Sequence, residues 1–245
     1  MTMNTKTLEQ MKQLRFYGMV RAFNTSLSSG SVDYTNDELV AYLMQSEWDD
    51  RYNRKIERLT KAARFRYSAV MEAIDYATER NIDKNQVQRF ASCEFIGRKE
   101  NILITGSTGV GKSYLASAIG HQACSMGRRA MYFNTAKLFT MLKTSKADGS
   151  YLKEIAKLEK QDLLILDDFG LKPLDNINRH SFMEIIEDRH GKRSTIIASQ
   201  LPVEAWHQII GEKTIADAIL DRLVHTAHRI DIKGESMRKK LRNNS

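Results

Sequence analysis

The sequence predicts an α/β protein, a phosphate-loop three-layer sandwich on a parallel sheet over residues 91–245, preceded by a small all-helical domain over 1–90. Three observations carry this reading. Up to about Arg80, apolar residues recur at spacings of three and four, and strand-type alternation is absent. Beyond Arg89, short β-rich runs alternate with helical stretches, the pattern required by a parallel sheet covered on both faces. Directly after the first such run comes a glycine-rich octapeptide with the spacing of a phosphate-binding loop.

Taken in order, Leu8, Met11, Leu14 and Gly18 mark a first helical stretch, which Ser26–Asp33 interrupts. Thr35-Asn-Asp-Glu then reads as a capped start, with Thr35 or Asn36 able to satisfy free amides. Leu39, Leu43, Trp48, Tyr52, Ile56 and Leu59 continue the pattern. Phe16, Tyr17, Phe23, Trp48 and Tyr52 are expected in the core of this domain. The strands are expected at Asn101–Thr105, Ala130–Phe133, Leu163–Leu166, Ser194–Ala198 and Arg229–Ile232.

Composition narrows the classes. A chain of 245 residues, 42% apolar and 28% charged with two prolines, can bury a sizeable core and is neither disordered nor a disulfide miniprotein. Cys93 and Cys124 share no CxxC spacing and read as small buried thiols in a reducing compartment. His121 with Cys124, and His225 with His228, have helix-compatible metal spacing but no further ligands nearby. No apolar run is long enough to span a bilayer and the start has no apolar signal core, so a cytoplasmic protein without a membrane partner is expected.

The octapeptide Gly106-Ser107-Thr108-Gly109-Val110-Gly111-Lys112-Ser113 matches GxxxxGK[ST] in full, with a strand before it and a helix beginning at Tyr114 after it. Its glycines let backbone amides point inward at phosphates, and the helix adds its positive N-terminal end. Lys112 is placed to reach the β- and γ-phosphates and Ser113 to join a Mg2+ shell, so ATP and Mg2+ are the expected cofactors. Leu163-Leu-Ile-Leu-Asp-Asp168 brings two carboxylates to the end of a buried strand. Asp167 is expected to hold Mg2+, partly through water; Asp168 either polarises the attacking water or caps the strand-to-loop turn. At the end of the fourth strand, Ser199 or Gln200 senses the γ-phosphate or simply makes the turn before Pro202. Phe95 or Ile96, by position, is expected to form the adenine pocket.

These residues resemble the AAA+ ATPases, and more closely the IstB-like helper ATPases of bacterial insertion sequences, relatives of the DnaC-type helicase loaders. The motifs that carry the resemblance are Leu14-Arg-Phe-Tyr-Gly-Met19, Glu47-Trp-Asp-Asp-Arg51, Ala62-Ala-Arg-Phe65, the phosphate loop, Leu166-Asp-Asp-Phe-Gly170, Ser199-Gln-Leu-Pro-Val203 and Gly234-Glu-Ser-Met-Arg238. Together they cover nearly the whole chain. The resemblance implies an ATPase that oligomerises on double-stranded DNA in an ATP-dependent way, recruits or stimulates a cognate transposase, and uses slow hydrolysis as a switch. It also implies that Arg222 completes a neighbouring subunit's ATP site, where a fixed guanidinium suits transition-state phosphate oxygens. The other reading of Arg222 is a solvated arginine or an intrachain pair with Asp217 or Asp221. Arg238 matches the arginine that approaches the γ-phosphate from the nucleotide's own subunit, or belongs to the basic tail. Two departures from AAA+ practice stand out: no separate helical lid follows the last strand, and Asp168 replaces a glutamate.

The net charge of +8 is unevenly spread, with seven basic and two acidic residues in the last 24. A second cluster, Arg51, Arg54, Lys55, Arg58 and Lys61, recurs at three and four on one side of a helix. Such a face lies along DNA phosphates or is only solvated. A DnaC-like helicase loader is the alternative function. A small-molecule kinase would need an acceptor pocket and a mobile lid, for which no residues are recognisable.

Overall fold

The computed structural model describes residues 2–28, 34–76 and 80–237. It divides into two compact units at Arg58–Leu59. In the first unit lie α1 (Met3–Gln13), α2 (Tyr17–Ser28) and most of α3 (Asn36–Ala63). Thr35 and Glu38 form the predicted reciprocal cap of α3, with Thr35 N donating to Glu38 Oε2 at 2.8 Å and Glu38 N to Thr35 Oγ1 at 3.3 Å. A Cβ on Gly18 would collide with Ser46 O and stand 2.6 Å from Glu47 Cα, so glycine is what lets α2 approach α3 this closely. Glu47 is buried there. Its Oε2 accepts from the backbone N–H groups of Gly18 (2.8 Å) and Met19 (3.3 Å), capping α2 from another helix. Its Oε1 meets Arg51 at 2.6 Å, and Asp50 is paired with Arg21 and with Arg54 (2.7 Å). The two N-terminal motifs are thus halves of one helix clamp. The expected aromatic core is only partly realised: Phe16 and Phe23 are half-buried, whereas Trp48 is 61% exposed and stacks on exposed Tyr52. The clamp is polar, so it leaves these rings outside.

The second unit contains α4 (Lys84–Ala91), α5 (Glu94–Gly97), β1 (Asn101–Gly106), α6 (Lys112–Ser125), β2 (Ala130–Asn134), α7 (Thr135–Ala147), α8 (Tyr151–Glu159), β3 (Leu163–Phe169), α9 (Asn176–Arg189), β4 (Ser194–Ser199), α10 (Trp206–Ile210), α11 (Lys213–Val224) and β5 (Ala227–Ile232). The five strands form one parallel sheet in the order β2-β3-β4-β1-β5. Alternate side chains serve opposite faces. Ile102, Ile104, Ile165 and Ile196 join Leu115, Ile119 and Ala123 of α6. Leu103, Leu164, Leu166 and Ile197 join residues of α7 to α11. The first of these layers also takes in Ala63, Ala69, Met71, Ile74, Val87 and Phe90. Described residues of 59–76 and 80–90 therefore pack with the sheet, and the two compact units divide at 58/59 where the sequence reading sets 90/91. The helical pattern expected up to about Arg80 stops earlier: α3 ends at Ala63, and among described residues 64–76 and 80–83 only the 3-10 turn Met71–Ala73 is helical.

Several buried groups are structural. Arg189, 2% exposed, donates through Nη1 to Leu158 O (2.7 Å) and Gln161 O (3.0 Å), satisfying carbonyls at the end of α8. Burial raises the Cys93 thiol to about 11 and the Cys124 thiol above its ordinary value, and both are free. His121 contacts Tyr67 O through Nε2 at 3.1 Å, and His228 Nε2 pairs with Glu100 at 2.9 Å. Among the described residues no helix is long and apolar enough to cross a membrane.

Candidate nucleotide site

The loop between β1 and α6 takes a shape that glycine permits. Gly106, Gly109 and Gly111 have φ of 141°, 86° and 104°, and a Cβ on Gly106 would strike Ile232 O. Val110 is fully buried behind the loop, and Ser107 O accepts from Lys112 Nζ at 2.7 Å. Thr108, Gly109, Gly111, Lys112, Ser113 and Tyr114 line a cavity of about 600 Å³. The end of the described chain lies against this loop: Met237 N donates to Gly109 O at 3.0 Å, and Ser236 packs where a Gly109 side chain would go.

Across the cavity is the end of β3. The β3–β4 register shifts between Leu166 and Phe169, and Asp168 adopts φ 57°, so the two carboxylates fall in an irregularity that re-aims them. Asp167 is fully buried. Its Oδ2 accepts from Tyr132 Oη and from Arg66 Nη1 (3.3 Å), while Oδ1 has no hydrogen bond or ion pair among the described residues. Asp168 Oδ2 accepts from Asn134 Nδ2 (2.9 Å) and Arg66 Nη1 (3.1 Å). Burial, then the bond to Asp167, push the Tyr132 phenol above its ordinary value, so it remains a donor. Burial works against the Arg66 charge, but Tyr67, Tyr132 and Asp168 outweigh it and hold the guanidinium above the ordinary arginine value.

The structure sorts the remaining expectations. Gln200 lines the cavity and its Oε1 accepts from Thr108 Oγ1 at 2.7 Å. Ser199 is fully buried, donates to Phe169 O at 2.8 Å and accepts from Leu201 N at 3.1 Å, so it secures the turn. Phe95 and Ile96 are core residues and do not line the cavity; its apolar wall comes from Tyr67, Ala73, Ile74, Ile82 and Met237. Arg222 lies on α11, away from the cavity lining, with Nε 2.6 Å from Glu187 of α9 in place of Asp217 or Asp221. Arg238 lies outside the described residues.

Four contributors have no signal in the local sequence: Arg66, Tyr132, Asn134 and Arg80. Buried Arg80 donates to Val110 O at 3.2 Å, and its own carbonyl accepts from Lys233 N at 2.9 Å. Of the four, Asn134 has a place that the strand pattern itself gives: it ends β2 in register with Asp167, at the same edge of the parallel sheet.

The sequence profile of the IstB-like ATP binding proteins matches residues 9–245. The chain belongs to that family. As an IstB-like protein it binds nucleotide, and the cavity beside Lys112 is the candidate place. It is 45% identical over 240 residues to the Sinorhizobium fredii protein y4pL, described as an insertion sequence ATP-binding protein, covering 98% of both chains. It is 42% identical over 204 residues to that of IS1162 from Pseudomonas fluorescens, covering 82% of this chain and 87% of the relative. The IstB-like chain also shares its fold with solved structures. DnaI matches with a TM-score of 0.58 and 22% identity over 72% of this chain and 94% of the other. The DnaC helicase loader matches with 0.55 and 22% over 68% and 98%.

Proposed function

We propose that this IstB-like protein is an ATPase that assembles on double-stranded DNA in its ATP state and recruits or stimulates a transposase, with slow hydrolysis ending that state. The observation that carries the reading is the pairing, around one cavity, of Lys112 and Ser113 with Asp168, which lines it, and with Asp167 beside it on β3. The insertion-sequence setting comes from the relatives' names.

Loop amides and Lys112 neutralise the phosphates. The buried, unpartnered Oδ1 of Asp167 is a hard oxygen donor of the kind Mg2+ takes, with Ser113 Oγ as a second. Mg2+, when bound, supplies neutralisation of charge on the phosphate oxygens. Asp168, held through Oδ2 by Asn134, orients the attacking water and accepts its proton. Gln200, beside Thr108, reads the γ-phosphate. Arg222 serves a neighbouring subunit's site, which fits its place away from this cavity, and Arg238 serves its own.

The DNA-facing cations of the first unit are chiefly Lys55 and Arg58, exposed and without an ion pair among the described residues. Arg51 and Arg54 already pair with Glu47 and Asp50, which reduces what they offer to phosphates. Lys61, in the second unit, is exposed as well.

The test is binding to random-sequence duplex and to single-stranded DNA of equal length, with ATP, ADP or no nucleotide, at two salt concentrations. Duplex binding that needs ATP, weakens with salt and disappears in Lys112→Ala is the expected result. A preference for single strands would overturn it in favour of helicase loading, and nucleotide-independent binding would remove the switch.

A further inference from the structure

Arg66 is not explained by nucleotide binding as described so far. It follows α3 in the second unit, lines the same cavity as Lys112 and Ser113, and its guanidinium lies 5.6 Å from the Tyr67 ring centroid. A single nitrogen, Nη1, stands 3.1 Å from Asp168 Oδ2 and 3.3 Å from Asp167 Oδ2. It therefore bridges the two carboxylates of β3. The remaining neighbours of those oxygens, Tyr132 Oη and Asn134 Nδ2, are neutral donors. Arg66 is thus the only charged partner of the Asp167–Asp168 pair among the described residues.

A guanidinium cannot shed its proton in this range, so it cannot give up the carboxylates by neutralising itself. It can only move. Two cations sharing one small carboxylate pair repel each other, and the repulsion is strongest where water is scarce, as beside fully buried Asp167. Arg66 has freedom to leave, since its side chain is 39% exposed while Asp167's is not exposed at all.

We propose that Arg66 is a tethered counter-ion that competes with the divalent cation for the Asp167–Asp168 pair, so that metal entry and Arg66 displacement are one event. The inference rests on the metal assignment made above. It gives the site two states, one in which a monovalent cation of the chain compensates half of the carboxylates' charge and one in which a divalent ion from solution compensates all of it.

The experiment measures direct binding of Mn2+ to the full chain by electron paramagnetic resonance without nucleotide, and separately the half-saturating Mg2+ for binding of a fluorescent ATP analogue. Wild type, Arg66→Gln, Arg66→Lys and Asp167→Asn are compared, with folding of each followed by circular dichroism. Arg66→Gln is expected to bind Mn2+ roughly tenfold more tightly and to lower the half-saturating Mg2+ by a similar factor. Arg66→Lys, which keeps a cation but not the bridging geometry, should fall between, and Asp167→Asn should lose the metal. Unchanged or weaker metal binding in Arg66→Gln overturns the proposal. A tenfold loss of analogue affinity in EDTA in that variant also overturns it, because Arg66 would then be a phosphate ligand. If Mn2+ tightens in Arg66→Gln while the analogue binds in no variant, the counter-ion role stands and the ATPase reading fails.

Discussion

Each unit contains one pair of acidic side chains met by arginine, and the two pairs are balanced differently. In the first unit Glu47 and Asp50 face Arg21, Arg51 and Arg54, and every carboxylate oxygen has a guanidinium or backbone N–H within reach, Asp50 Oδ2 through its 2.7 Å ion pair with Arg54 and without a hydrogen bond among the described residues. In the second, Asp167 and Asp168 share one guanidinium among the described residues, that of Arg66, beside the neutral donors Tyr132 and Asn134, and the buried Asp167 Oδ1 is left over. A saturated cluster has no capacity for a further ligand and serves to hold helices together. An under-compensated one costs stability and persists where something else completes it. The count of partners per oxygen, more than the presence of acids and arginines, separates structure from chemistry here.

The largest expected effect breaks the saturated cluster. Glu47→Ala leaves the Gly18 and Met19 N–H groups and Arg51 without their partner and should cost about 2–4 kcal/mol in urea unfolding of the full chain. Nucleotide affinity should hold, and a loss below 1 kcal/mol would show that the clamp is not structural. Asp167→Asn is expected to behave in the opposite way. An amide of the same shape still accepts from Tyr132 and removes one of two adjacent negative charges, so stability should change by less than about 1 kcal/mol while metal-dependent nucleotide binding is lost. A large destabilisation would place Asp167 with Glu47. The smallest effect concerns pH. The hydrogen bond from Arg21 is the main cause holding the Asp50 carboxyl below its ordinary 3.8, with burial opposing it. A lowered folded value means that the contribution is complete above that ordinary value and is lost as pH falls through the folded one. The difference in melting temperature between wild type and Asp50→Asn should therefore shrink below about pH 4. A difference that stays constant down to pH 2 would remove Asp50 from the clamp's electrostatics.

Legibility in the sequence followed the range of the interactions. The phosphate loop and the β3 carboxylates are each a contiguous motif that spacing alone marks; four strands read as apolar runs, and β5 as the alternation Arg229-Ile-Asp-Ile. The wall from Tyr67 to Ile82 has no motif of its own, and Arg66 meets its carboxylates 101 and 102 residues away in the chain. Phe95 and Ile96 stand near the loop in sequence, yet they lie in the core and do not line the cavity. Described residues between 63 and 90, among them Ala63, Ala69, Met71, Ile74, Val87 and Phe90, join the core of the sheet, a long-range property that local periodicity does not encode.

Trp206 is fully buried, its ring 4.9 Å from that of Phe169, the residue directly after Asp168, and its indole N–H donates to Leu201 O beside Gln200. The chain's other tryptophan, Trp48, is largely in water. The two indoles therefore emit from opposite environments. Red-edge light and iodide quenching are expected to report on the helices of the first unit, and blue-edge light on the turns after β3 and β4 that carry Asp168 and Gln200, so each unit can be watched in solution without an attached dye.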